Sequence, residues 1–208
     1  ARAGGWDSAD RLKDMAADGI SAEVLYPTLA KGIYEQAGDD PDLTQACDRV
    51  YNDWMIEFCR QAPERLWGQA HIGLWNMDYA VAELQRCKEA GLRGATIWII
   101  PPKGLPFTSD HYERFWSAAE DLDIPVSMHI NSGFGIYLER HFEDRRETIT
   151  RQSYGHKTVA MQALAELILS GALERHPRLR LVIAEYEVGW IPFWLEDLDR
   201  KAGRRESL

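Results

Sequence analysis

The chain is poor in cysteine, with three in 208 residues. Cys47, Cys59 and Cys87 are odd in number, match no zinc-motif spacing and each fall in a helical pattern. That excludes a disulfide-stapled scaffold and predicts free thiols in a reducing compartment, the cytoplasm. Positive charge is also scarce: Lys and Arg number 24 against 33 Asp and Glu, a formal net charge of −9. Such a surface argues against nucleic acid or an anionic membrane as the main partner. No apolar run approaches the ~18 residues that a membrane span needs, and no signal-peptide pattern opens the sequence. No Gly-x-Gly-x-x-Gly follows a strand and no Walker-type Gly-Lys-Ser/Thr occurs, so nucleotide binding has no support. Aromatic residues are plentiful by contrast. Eight tryptophans and eight tyrosines in a chain that is 45% hydrophobic suit one domain with a large packed interior or an aromatic-lined pocket.

Asp7 caps a helix with apolar positions at Leu12, Met15 and Ala16, closed by Gly19. Ile20 to Leu25 reads as a buried strand ended by Tyr26-Pro27. Asp40-Pro41 opens the longest helix, whose buried face is expected at Leu43, Cys47, Val50, Tyr51, Trp54 and Phe58, spaced three and four apart. Further strands are expected at Leu66–Leu74, Arg93–Ile100, Ile124–His129 and Leu179–Glu185. Helices at about Asp78–Ala90, around Phe115–Leu122, at Lys157–Leu169 and at Trp190–Arg200 alternate with them. Apolar strands joined by helical crossovers mean a parallel sheet covered on both faces. Two architectures are open at this point, a doubly wound sheet and part of a (β/α)8 barrel. Between Phe134 and Gly155 the pattern lapses into a polar stretch around His141-Phe142-Glu143-Asp144-Arg145, a lid, an oligomer contact or a solvated charged helix.

His129 ends a strand and is followed by Asn131-Ser132-Gly133. At the carboxyl end of a strand, where α/β enzymes place their chemistry, a histidine is a metal ligand, an acid/base group or a buried core residue. Glu185 ends the fifth strand at the same edge. It can ligate a metal, orient a neighbour, act as a general base or simply pair with an arginine. Tyr26, Thr28, Trp98 and Asn131 stand at or past other strand ends as candidate pocket-lining residues. His71 lies within a strand and reads as structural, while His111, His141, His156 and His176 sit in helical or loop contexts.

Several segments together resemble one family. Asp18-Gly19-Ile20-Ser21-Ala22-Glu23-Val24-Leu25-Tyr26-Pro27-Thr28 is similar to its second-strand signature. Tyr51-Asn52-Asp53-Trp54 and Ala62-Pro63-Glu64-Arg65-Leu66 resemble the next helix and strand entry, and Gly91-Leu92-Arg93-Gly94-Ala95 the fourth-strand entry. Pro125-Val126-Ser127-Met128-His129-Ile130 resembles the metal-binding fifth strand, and Ser170 to Leu179 with Ala184-Glu185 and Gly189-Trp190-Ile191-Pro192 the sixth. These are features of the amidohydrolase-related family that includes aminocarboxymuconate semialdehyde decarboxylase and related hydrolases.

The resemblance implies a (β/α)8 TIM-type barrel, with strands two to six in residues 1–208 as one domain, and strands one, seven and eight not matched. It implies one divalent metal, zinc by expectation, with His129 as the strand-five ligand. The family's His-x-His pair and aspartate have no counterpart here. Glu185 takes the place of a catalytic histidine of the decarboxylases, and is expected to orient a water or shuttle a proton. The expected function is therefore metal-dependent hydrolysis of a small carboxylic acid, amide or lactone. The alternatives are non-oxidative decarboxylation of an unsaturated or aromatic acid, and an inactive barrel fragment. A small-molecule substrate and a homodimer are the partners implied.

Overall fold

The computed structural model describes residues 2–28, 30, 33, 37, 40–130, 132–133 and 155–203. In chain order the elements are α1 (Ser8–Ala17), β1 (Glu23–Leu25), α2 (Pro41–Arg60), β2 (Leu66–His71), α3 (Met77–Glu89), β3 (Gly94–Ile97), α4 (Glu113–Asp121), β4 (Val126–His129), α5 (His156–Leu169), α6 (Ala172–Arg175), β5 (Leu181–Ala184) and α7 (Ile191–Gly203). Caps set the starts: Asp7 accepts the Asp10 N–H at α1, Asp40 the Leu43 N–H at α2, and Asn76 the Asp78 N–H at α3. The strands are shorter than their apolar runs. Before β1, for example, the Ile20 and Ser21 carbonyls accept from the Arg65 guanidinium instead of a strand.

All pairings are parallel, and the spatial order β1-β2-β3-β4-β5 is the chain order. A doubly wound sheet reverses its order at a switch point. This one never does, and steady progression around the sheet is the topology of a (β/α)8 barrel. The five strands are a curled part of one.

The pleat sorts the side chains. Gly68 faces α2: a Cβ there would lie 2.7 Å from Met55 Cγ and 2.8 Å from Cys59 Sγ, so its glycine lets the helix seat on the strand. On that same face Ala70, Ala95 and Val126 are register partners with no exposure. The opposite face is the barrel interior, where His71, Thr96, Ser127 and Val182 share one register row. Such rows are commonly Val, Ile and Leu; this one is mostly polar. The aromatic surplus packs beside the sheet, where Trp98, Phe107, Tyr112, Phe115 and Trp116 are all essentially unexposed.

The expected buried face of α2 is overturned at three of its six positions, while Phe58 is buried as expected and Cys47 and Tyr51 are half-buried. Leu43, Val50 and Trp54 are 48%, 72% and 41% exposed, and the helix instead buries Thr44, Asp48, Asn52, Met55, Ile56, Phe58 and Cys59. The cause is the short β1, which ends opposite Gly68 and leaves the edge of β2 uncovered above it. Asn52 takes the place of a strand, accepting the His71 N–H at 2.7 Å and donating to the His71 carbonyl at 3.0 Å. Asp48 binds His71 Nδ1 at 2.6 Å and accepts the Gly73 N–H at 2.7 Å. Glu83, bonded to Asn52, Arg86 and Arg49, closes the network. Burial pushes the Glu83 carboxyl up, but its bonds to Arg86 and Asn52 outweigh that and hold it below the ordinary carboxylate range.

Two consequences are measurable. Asn52→Leu strands two buried backbone groups and is expected to lower stability by about 2–4 kcal/mol in urea unfolding; a loss under about 0.5 kcal/mol contradicts the role given to Asn52. Glu113 is held down to about 2 by Arg175 and His176. A depressed carboxylate stabilises the fold above its unfolded pKa and loses that contribution as pH falls toward the folded value. The stability of Glu113→Gln is therefore expected to fall less steeply than wild type between about pH 5 and 2; parallel acid-unfolding curves contradict this.

Candidate functional site

His129 is the last residue of β4, and its register partner is Ala184, the last of β5. The next residue along, Glu185, thus reaches the same strand-end edge. The Ile130 N–H bonds to the Ala184 carbonyl at 3.2 Å, so the ladder holds up to the site itself. His129 Nδ1 lies 3.0 Å from the Ile130 carbonyl. A carbonyl only accepts, so the proton sits on Nδ1, and in the neutral ring the lone pair is on Nε2. That arrangement, one ring nitrogen donating to a carbonyl and the other free to ligate, is the usual setting of a metal-binding histidine.

Nε2 faces Glu185 Oε1 at 3.6 Å; the imidazole is almost buried, with its side chain 8% exposed, and the carboxylate 64% exposed. The separation exceeds a hydrogen bond. Tyr26, just past β1, lays its ring 5.1 Å from the imidazole and pairs its hydroxyl with Ser127 Oγ at 3.1 Å across the interior. The loop carrying Glu185 is strained, since Glu185 and Glu187 have φ of +68° and +57°. Non-glycine residues adopt this region at a cost, and clusters of them accompany functional sites. The Trp190 indole N–H donates to the Tyr186 carbonyl at 2.8 Å, and Lys157 holds Glu187 at 2.8 Å.

Of the residues singled out from sequence, His129, Glu185 and Tyr26 are thus brought together. Trp98 follows Ile97, whose partner is Met128, so it stands level with His129; it is fully buried, edge-on to Trp75. Thr28 is exposed beyond β1. Asn131 and the polar stretch 134–154 lie outside the described residues. His71 serves the β2 edge as expected of a structural residue. His111 bonds the Leu74 carbonyl, and His176 bonds Glu113. Burial pushes the Cys59 thiol up to about 11 and raises that of Cys87, so neither is a nucleophile at neutral pH.

Sequence reading missed the floor of the site. Ser127 anchors Tyr26, and Gln69 Oε1 and Thr96 Oγ1 are buried with no hydrogen-bond partner among the described residues. The available signal was alternation: polar residues at every second position of β2, β3 and β4 mark an interior that is not sealed with aliphatic side chains. No group of three metal-ligating side chains occurs among the described residues, and none of their helices is long and apolar enough to cross a membrane. A separate cleft of about 410 Å³ lies between Ile99–Gly104 and α5, with neither His129 nor Glu185 in its walls.

The geometry agrees with what the chain is similar to. A gamma-resorcylate decarboxylase of Rhodococcus jostii is 32% identical over 176 residues, covering 77% of this chain and 51% of that protein. The crystal structure of an amidohydrolase from Mycobacterium avium subsp. paratuberculosis superposes with a TM-score of 0.83 at 20% identity, covering 97% of this chain and 53% of that one. A 5-carboxyvanillate decarboxylase of Novosphingobium aromaticivorans, complexed with manganese, matches with a TM-score of 0.76 at 22% identity, over 95% and 55%. The chain spans between a half and three-fifths of the curated relatives it matches, 51% and 58% of two of them. The amidohydrolase family model (Amidohydro_2) matches residues 1–206, and the chain belongs to that family.

Proposed function

We propose that the protein is a metal-dependent, non-oxidative decarboxylase of a small hydroxylated aromatic or unsaturated carboxylic acid. The observation that carries this reading is the His129 imidazole, fixed by Ile130 so that Nε2 offers its lone pair at the open edge of the sheet. Its chemistry is that of the curated relatives, whose names are gamma-resorcylate decarboxylases. The hydrolase expected from the sequence thereby becomes the second reading.

His129 Nε2 is the donor this chain offers to a divalent cation, and Glu185 presents a carboxylate at the same point. The cation, manganese or the zinc expected from sequence, supplies Lewis-acid polarisation of the acid's oxygens when bound. Tyr26 holds the imidazole plane and walls one side of the site, while Trp98 backs the neighbouring strand end and Thr28 stands at the rim. Thr96, level with Ser127 and with its hydroxyl unmet, keeps the interior below His129 polar enough for a hydroxylated substrate. The same proposal takes a small molecule as partner, a homodimer as the assembly and the cytoplasm as the location. One observation favours hydrolysis instead: a carboxylate at position 185, which as a free base would take a proton from water.

The test is product analysis on the manganese-loaded protein with gamma-resorcylate, 5-carboxyvanillate and a panel of esters and lactones. Carbon dioxide release from one of the acids is expected, falling at least about 100-fold in His129→Ala. Hydrolysis of an ester or lactone with no carbon dioxide from any acid would establish the second reading in its place.

A further inference from the structure

We propose that the outer face of α2 is where two copies of this chain meet, antiparallel and about a two-fold axis close to Val50. This deepens the homodimer named above and rests on that reading. The face exists because α2 turns Asp48 and Asn52 inward to the edge of β2. Leu43, Val50 and Trp54 are then left on one outward stripe, with the half-buried Cys47 between them at helical spacing. Apolar residues scattered singly over a surface are ordinary. A continuous stripe over about three turns, beside a groove of about 580 Å³ lined by Ile33, Ala46, Cys47, Val50, Tyr51 and Trp54, is a contact surface.

Three features select a second copy as the occupant. The first is a ridge and a hollow on the same helix. The Trp54 ring, propped on Tyr51 and Phe58 with centroids 6.1 and 5.2 Å away, stands four residues to one side of Val50. The small side chain of Ala46 stands four residues to the other side, each about 6 Å from Val50 along the axis. A half-turn about Val50 sets each indole into the hollow of the other copy, the self-complementarity that an isologous interface requires. The second feature is charge. Asp42 lies in the first turn of α2 and Arg60 ends it. Both are exposed, and neither is ion-paired among the described residues. Antiparallel packing brings Asp42 of each copy toward Arg60 of the other and sets the two helix dipoles in opposition.

The third is area. At their exposures, Leu43, Val50 and Trp54 leave on the order of 300 Å² uncovered in each copy, and the rim between Asp42 and Arg60 adds about as much. Two copies then bury roughly 1,200 Å², the lower end of specific interfaces. A dimer of that size is expected to dissociate at micromolar concentration. It also braces, from outside, the helix whose Asn52 and Asp48 close the edge of β2.

The experiment is sedimentation velocity of the purified protein across the micromolar range, where a concentration-dependent dimer is expected. Val50→Asp places two unpaired carboxylates at the axis and is expected to raise the dissociation constant at least about tenfold, with unchanged far-UV circular dichroism. Arg60→Asp is expected to weaken the dimer, and adding Asp42→Arg to restore it, a rescue that antiparallel pairing supplies. Close to a two-fold axis a residue meets its own counterpart. Val50→Cys in a Cys47→Ser background is therefore expected to form an interchain disulfide under mild oxidation. A dimer that Val50→Asp leaves equally tight, or a Val50→Cys variant that does not cross-link, overturns this face and leaves the homodimer standing. If the charge exchange restores nothing, the antiparallel pairing falls. A wild-type protein that stays monomeric throughout overturns the homodimer as well, and gives the stripe to another segment of the chain or to another protein.

Discussion

The register between β4 and β5 is the constraint on which the site depends. With His129 opposite Ala184, the residue that follows each strand arrives at one edge, and the imidazole and the carboxylate meet there. A slip of one residue would turn His129 to the helix face, where Met128 now packs without exposure. The register is fixed from both sides: Ala95 and Val126 are sealed beneath helices on one face, and Tyr26 reaches Ser127 on the other. The packing of small residues outside thus secures the chemistry inside.

The same parallel pairing explains the polar cluster at β2. Parallel strands leave an unpaired edge wherever one neighbour ends early, and β1 has only three residues. Buried backbone groups must find partners, so α2 turns Asp48 and Asn52 inward and leaves Leu43, Val50 and Trp54 outside. Periodicity could not show this. The apolar stripe of α2 has helical spacing and was legible as a helix, but which face is buried was settled by what β2 lacked. The strand ends were misjudged for a related reason: apolar residues such as Ile72 and Ile99 continue past the ladder because the protein buries them in loops that no strand pairs on both sides, while Ile20, ahead of β1, is exposed.

What was legible was therefore whatever local sequence decides. Apolar runs broken by Pro, Gly and Asn gave five strands and their order of alternation with helices, and a strand ending in a histidine gave a candidate site residue. Separating a barrel from a doubly wound sheet needed the spatial order of strands, which depends on non-local pairing. Ser127, Gln69 and Thr96 were passed over because a polar residue within an apolar strand carries no label for the face it occupies until the register is known. Tyr26 was legible as a strand-end aromatic, but its hold on the His129 ring depends on Ser127 three strands away in the sheet.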